Sequence, residues 1–267
     1  MPSVHTIDFD CWYADDCFAQ PWDEPDVVVI QAGFGRNGEH WRSWVPGLSA
    51  RHRVLRRDMR AHGGSSPGPA DHEWSPEGLA ADVVAFLDAL GLDRVHYVGE
   101  SVGGITGIVL GARHADRFAS ITLVQTPIRL GPLLQDAMRG EFSTWSEALR
   151  TLGPGGWVTR NQTAGAPRTE WERAQWDRCN TEALARLADA TMHVDVGDYV
   201  SRVEVPTLVL APSQSPLTPL TDQFRLRTSI PDAQIEVFEG RGHNIYLDEP
   251  DRCVQRVLRF IDEVNQR

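Results

Sequence analysis

The residues that can do chemistry begin at Gly99-Glu100-Ser101-Val102-Gly103, followed by Gly104. A serine between glycines suits a sharp strand-to-helix turn, because larger neighbours would clash there. The turn lifts the hydroxyl off the sheet edge at the positive end of a helix. Composition alone produces the pattern only roughly 0.1 times in a chain of this make-up. Its setting sharpens it, since Val95 to Gly99 reads as a buried strand and Val102 to Arg113 as a tightly packed helix. A serine so placed is a nucleophile for acyl transfer, and the oxyanion formed by its attack needs two preorganised N–H donors. Val102, next after the serine, supplies one in this reading. Phe34 in Gln31-Ala32-Gly33-Phe34-Gly35 supplies the other, from a loop that follows another buried strand.

Acyl transfer also needs a base, and the nine histidines differ in setting. His5, His52, His72 and His114 stand in polar stretches and are expected to be solvated. His96 lies within a strand, His193 in a helical insertion, and His62 in a turn where a structural hydrogen bond is expected. His40, close to the Phe34 loop, is carried as a residue lining the site. His243, in Glu239-Gly240-Arg241-Gly242-His243-Asn244, follows the last strand and so projects from the sheet's carboxyl edge, as Ser101 does. It is the candidate general base.

The elements that must position these residues form an alternation. Strands are expected at Asp26–Ala32, Arg53–Asp58, Val95–Gly99, Ala119–Gln125, Val205–Ala211 and Gln234–Phe238. A helix runs from the N-cap Ser75 through Leu90, with Pro76 at its first position and Gly91 at its end, and Pro250–Val264 forms a closing amphipathic helix. This pattern implies an α/β fold with a doubly wound, mostly parallel sheet. Residues 127–202 break it, with helical segments and Trp145, Trp157, Trp171 and Trp176 but no convincing strand. The expected organisation is a core of residues 1–126 and 203–267 carrying a helical cap of residues 127–202.

Composition narrows the function. With 267 residues, 41% hydrophobic and 24% charged, the chain has the make-up of an ordinary globular protein. A net charge of −11 repels nucleic acid and anionic membrane surfaces, so the expected partner is a small-molecule substrate, with the chain a monomer or homodimer. All 26 basic residues are arginine; without lysine there is no Schiff base and no phosphate-binding P-loop lysine. Cys11, Cys17, Cys179 and Cys253 are too dispersed for a disulfide framework or a zinc site and are expected to be buried thiols. No cofactor or metal is expected. The N-terminus lacks a leader pattern and no apolar run approaches the ~20 residues of a membrane span, so a cytoplasmic location is expected.

Over nearly its whole length the chain resembles the α/β-hydrolase superfamily. Gly99-Glu100-Ser101-Val102-Gly103 matches the nucleophile elbow, Ala32-Gly33-Phe34-Gly35 resembles the oxyanion loop, Asp58 to Ser65 (DMRAHGGS) resembles the D-x-R-G-x-G-x-S turn, and Gly242-His243 matches the triad histidine. It is most similar to small-capped 3-oxoadipate enol-lactonase-like members, and a serine at the elbow separates it from dehalogenases and epoxide hydrolases, which need Asp there. The resemblance implies a cofactor-independent serine hydrolase acting on an ester, lactone or similarly activated acyl bond of a small, largely hydrophobic carbonyl compound. It also places Trp157 where many relatives set a cap residue over the nucleophile, and Arg36 and Arg160 are candidates for a substrate carboxylate.

One family feature is missing. Where the triad acid is expected, in Ala211-Pro212-Ser213-Gln214-Ser215-Pro216, Ser215 stands in place of Asp, and the alternative station one strand earlier holds Gln125 and Thr126. Three readings follow. Ser215, Ser213 or Gln125 orients His243 through a neutral hydrogen bond; a carboxylate from elsewhere, such as Asp222 or Glu100, reaches it; or the scaffold performs non-hydrolytic chemistry (proton transfer, lyase, dioxygenase-like or pericyclic) with His243 as base. A non-catalytic ligand-binding protein is the alternative from another class.

Overall fold

The computed structural model describes residues 2–160 and 162–267, and Leu133 through its backbone only. Its centre is an eight-stranded sheet of β1 (Ser3–His5), β2 (Asp10–Asp16), β3 (Val27–Gln31), β4 (Arg53–Arg57), β5 (Val95–Glu100), β6 (Phe118–Val124), β7 (Thr207–Pro212) and β8 (Ala233–Phe238). The helices are α1 (Val45–Ser49), α2 (Pro76–Ala89), α3 (Val102–Arg113), α4 (Pro132–Arg139), α5 (Trp145–Thr159), α6 (Pro167–Trp176), α7 (Thr181–Thr191), α8 (Gly197–Val200), α9 (Leu220–Ser229), α10 (Ile245–Asp248) and α11 (Pro250–Asn265).

The spatial strand order is β1-β2-β4-β3-β5-β6-β7-β8; β1 and β2 run antiparallel, and every pairing from β4 to β8 is parallel. From β3 the chain steps outward to β4, then returns to the other side of β3 for β5. The sheet therefore has its topological switch between β3 and β5, where loops at the carboxyl ends diverge and leave a crevice. Gln31 pairs with Gly99, so the loops after these two strands start level with each other.

Burial on both faces explains the apolar strands. In β3, Val29 joins one core with Leu55, Phe86, Tyr97 and Ile108, whereas Val28 and Ile30 join the other with Trp41, Trp44, Val98 and Phe260. Each fully buried side chain of this size contributes roughly 1.5–3 kcal/mol. The second face is closed by α11, whose Cys253, Val254, Val257, Phe260 and Ile261 recur at helical spacing and are all buried. In α2, the Ser75 hydroxyl accepts the Gly78 N–H at 3.0 Å, Pro76 occupies the first turn, and Gly91 follows the end at φ 64°.

Three points differ from the sequence reading. The strands expected from the sequence begin at Asp26, whereas the structure adds β1 and β2 before them, with ion pairs from Arg53 to Asp15 and from Arg56 to Asp16 tying β2 to β4. His52 is not solvated but buried, its ring 6.4 Å from that of His96. Of the four free cysteines, Cys17 is exposed and the other three are buried.

Between β6 and β7 the described residues form α4 to α8 and no strand, with one isolated bridge between Arg129 and Asp195. Gly153, at φ 70° and followed by Pro154, kinks α5. A third apolar cluster joins this layer to the sheet: Trp145, Leu149, Trp157, Trp176 and Leu184 pack with Phe34, Met59, Leu79 and Val102. No helix among the described residues is long and apolar enough to cross a membrane.

Candidate active site

Ser101 sits between β5 and α3 at φ 52° and ψ −111°, a conformation that strains any residue with a side chain and persists only where its surroundings enforce it. The enforcement is steric. A Cβ on Gly103 would lie 2.5 Å from the Gln31 carbonyl oxygen, and one on Gly104 would lie 1.8 Å from Thr126 Oγ1, so only glycine lets the turn pack against β3 and β6. The Ser101 N–H donates to the Val124 carbonyl at 3.1 Å, fixing the turn from the β6 side.

Above the turn lies a cavity of about 250 Å³. Ser101, Val102, Phe34, Arg36, Glu100 and His243 form its floor, and Met138, Trp145, Trp157, Arg160 and Trp176 are among the residues that roof it. The loop after β3 reaches it because its backbone is held twice. The Gly33 N–H donates to Glu100 Oε2 at 2.8 Å, and the Gly35 N–H donates to His62 Nε2 at 3.0 Å, with His62 Nδ1 turned to the Arg60 carbonyl at 2.8 Å. These bonds leave the Phe34 N–H between them without a partner among the described residues. Val102 begins α3, so its N–H has no intrahelical acceptor. Phe34 and Val102 line the cavity together with Ser101, and two free N–H donors are what an oxyanion requires.

His243 lies in the same cavity, and its ring nitrogens face different chemistry. Nδ1 is 3.1 Å from Ser215 Oγ and 3.5 Å from Thr218 Oγ1. Nε2 lies 3.9 Å from Glu100 Oε1, and among the described residues no other carboxylate comes within 4.0 Å of the ring. Burial, and secondarily the Arg36 guanidinium, push the imidazole down to about 3 from its usual 6.5. Glu100 does not reverse this direction, because Arg36 itself stands 3.6 Å from Glu100 Oε1 and offsets its charge. His243 is therefore a neutral ring at ordinary pH.

The other candidates fall into place around this pair. Gln125, at φ 42° and fully buried, does not touch the imidazole ring. Its amide donates to Glu100 Oε1 at 2.9 Å and to the His243 carbonyl at 2.7 Å, and its oxygen accepts the Ile245 N–H at 3.2 Å. The amide thus ties the elbow to the histidine loop through backbone. Arg36 lines the cavity and donates to Tyr246 Oη at 2.6 Å and to Asn244 Oδ1 at 2.7 Å. Trp157 lines it too, its indole N–H on the Met138 carbonyl at 3.0 Å and the Arg160 guanidinium 4.5 Å from its ring centre.

His40 is not brought to the cavity. It closes a capping box with Asn37 and stands 3.5 Å from Glu172 of α6. Ser213 Oγ accepts the Gly240 N–H, and Asp222 lies in the first turn of α9 and forms no ion pair with His243 among the described residues. Thr218, Tyr246 and Asn244 carry no motif, and nothing in a linear pattern marks them. Among the described residues no cluster of three or more His, Cys, Asp or Glu side chains is placed to hold a metal ion.

Comparison with known proteins agrees with this architecture. Residues 26–156 match the family model described as the alpha/beta hydrolase fold. The chain is 27% identical over 256 residues to a protein carrying a provisional carbamate-hydrolase name, RutD, from Caulobacter sp. (strain K31), covering 90% of this chain and 92% of that one. It is 26% identical over 253 residues to 3-oxoadipate enol-lactonase 1 of Acinetobacter baylyi, covering 89% of each. Among solved structures, a hydrolase from Pseudomonas aeruginosa PA01 superposes with a TM-score of 0.77 at 28% identity, covering 95% of this chain and 94% of that one. With the elbow at the switch point of a mostly parallel sheet and these relatives spanning most of its length, the chain has the α/β-hydrolase fold.

Proposed function

We propose that the protein is a cofactor-independent serine hydrolase that cleaves an ester, lactone, carbamate or similarly activated acyl bond of a small, largely apolar carbonyl compound. Ser101 Oγ attacks the carbonyl carbon, its proton passes to His243 Nε2, and the Phe34 and Val102 N–H groups hold the oxyanion. Collapse expels the leaving group, and a water molecule then releases the acid and regenerates Ser101. The cap of residues 127–202 sets substrate shape through the tryptophans over the floor.

The observation that carries this reading is that the strained serine and the imidazole line one cavity, while Nδ1 meets hydroxyls rather than a carboxylate. Without a carboxylate behind it, imidazolium is poorly stabilised. The substrates of choice therefore have leaving groups that depart as stable anions, such as enolates and phenolates, and need little proton donation. A fluorophosphonate probe is expected to label wild-type protein on Ser101 and to leave Ser101→Ala unlabelled. Within a series of aryl esters, kcat/KM is expected to climb steeply as the phenol becomes more acidic; a flat series would sink the proposal.

The same absence of a carboxylate favours one second reading, in which His243 moves a proton on a carbonyl substrate and the two N–H donors hold an enolate. It predicts that Ser101→Ala keeps turnover of the native substrate, whereas the hydrolytic reading predicts that turnover is lost.

A further inference from the structure

The hydroxyl pair behind His243 has too few hydrogens and lone pairs to be neutral about which ring nitrogen is protonated. Ser215 Oγ has three polar neighbours: the Thr218 N–H at 3.2 Å, Thr218 Oγ1 at 2.9 Å and His243 Nδ1 at 3.1 Å. A hydroxyl offers one hydrogen and two lone pairs. The Thr218 N–H can only donate, so it takes one lone pair. One lone pair and one hydrogen remain for Thr218 Oγ1 and Nδ1. The geometry makes Thr218 Oγ1 the donor to Ser215, which fills the second lone pair and turns the Ser215 hydrogen toward Nδ1.

The opposite arrangement is worse. If Nδ1 carried the proton and donated to Ser215, the Ser215 hydrogen would go to Thr218 Oγ1. The hydrogen of that hydroxyl would then have no acceptor, because Thr218 is fully buried and Ser215 and Nδ1 are its side chain's only partners among the described residues. On the far side of the ring, the nitrogen left with the proton is the one facing a carboxylate, Glu100 Oε1 at 3.9 Å.

We propose that Ser215 and Thr218 are positioning residues that hold resting His243 as the Nε2–H tautomer, so that the imidazole presents a donor rather than a lone pair to Ser101 and the cavity. The inference rests on the hydrolytic reading for its consequence: acylation proceeds through the minor Nδ1–H tautomer, reached when the Thr218 hydroxyl gives up Ser215. Replacing Ser215 by an acceptor-only group removes the conflict. In Ser215→Asp the carboxylate accepts Nδ1–H and both Thr218 donors together. Ser215→Asn is the control of equal size: its oxygen accepts from Thr218 while its amide donates to Nδ1, keeping the proton on Nε2.

The test is 15N NMR of histidine-labelled protein, with His243 assigned by the signals lost in His243→Gln. Wild type and Ser215→Asn are expected to show Nδ1 with the shift of an unprotonated nitrogen and Nε2 with that of a protonated one; Ser215→Asp is expected to exchange the two. Alongside, the rate of Ser101 labelling by fluorophosphonate is expected to rise in Ser215→Asp, toward the ~10⁴-fold that a wrong tautomer costs a serine protease. A proton on Nδ1 in the wild-type spectrum overturns the proposal, whether or not the Ser215 variants fold and whether or not Ser101 is labelled. An Nε2–H signal in a protein whose Ser101 is never labelled upholds the tautomer and overturns the hydrolytic reading instead.

Discussion

The floor and the roof of the cavity are built by different means. On the floor, position comes from backbone: Ser101 and Gln125 are held at positive φ, and hydrogen bonds join Gly33, Glu100, Gln125, His243 and Ile245 into one network. The roof relies on ring packing, with Phe34 reaching up to Trp145 at 4.2 Å and Trp157 lying between Trp145 at 5.4 Å and Trp176 at 5.2 Å. A hydrogen-bonded, strained frame fixes atoms to within tenths of an ångström and fails when one member is lost. An aromatic layer excludes water and tolerates rearrangement. In the proposed mechanism bond-making falls to the floor and choice of substrate to the roof, so substitutions in each should differ in kind.

The largest expected effect is at the serine. Ser101→Ala should lower kcat/KM on an activated aryl ester by at least about 10³-fold. It should change stability by no more than about 1 kcal/mol in urea unfolding, because the hydroxyl makes no hydrogen bond among the described residues. Retained activity would strip the floor of its role.

Acid should attack the sheet half next. Burial pushes His62 down to about 4 against only partial relief from its bond to the Arg60 carbonyl, and burial likewise takes His96 to about 4 and His243 to about 3. Each folded value lies below the unfolded 6.5, so between those limits the unfolded chain binds more protons and stability rises with pH. The penalty is absent above about pH 7 and complete below the folded values, on the order of 3 kcal/mol for the fully buried His62 alone. Urea midpoints measured from pH 8 to pH 4 should fall mainly below pH 6.5, and His62→Gln should flatten that slope. The depressed value of His243 also puts the acid limb of kcat/KM far below the region near pH 6.5 where an unperturbed imidazole would place it.

Gln125→Ala removes three hydrogen bonds and leaves the Ile245 N–H unpaired in a buried place. The expected loss is roughly 2–4 kcal/mol of stability, with a fall in kcat of about 10- to 100-fold and a smaller change in KM, since the histidine loop loses its tie to the elbow. Equal changes in kcat and KM would mean that the amide only stabilises the fold.

How much of this could be read from the chain follows the same division. The floor was legible because strain and close approach restrict residue type: only glycine fits at 103 and 104, and a serine between glycines after a buried strand marks the turn. The six central strands and α2, α3 and α11 were found to within a residue or two because burial on both faces imposes an apolar run and a helix an apolar stripe. β1 and β2 escaped because β1 is held by pairing with β2, and β2 by pairing with β4 and by ion pairs with Arg53 and Arg56, which alternation does not record. Ser215 was noticed by what it replaces, but Thr218 three residues on was not, since its part depends on counting lone pairs around one oxygen in space. His40 was misplaced by closeness in sequence to Phe34. On the roof a tryptophan packed in a core and one facing a cavity look alike in sequence, which is why substrate shape stays the least legible property.

Trp157 is where the comparison is tested most finely. Its indole is nearly buried, bonded to the Met138 carbonyl and covered by Arg160, yet it also faces the cavity. Trp157→Phe keeps an aromatic face between Trp145 and Trp176 while giving up the hydrogen bond and part of the ring. Stability should fall by about 1 kcal/mol, and the space opened should relax discrimination between acyl chains differing by one or two methylenes, a change of roughly 3- to 10-fold in relative kcat/KM. The rate of Ser101 labelling by a small fluorophosphonate should stay within about 2-fold of wild type, because that probe reports on the floor. A large drop in labelling with acyl preference unchanged would mean that the roof helps place the reacting atoms, and the division between the two layers would have to be redrawn at Phe34 and Val102, floor residues that pack against the roof tryptophans.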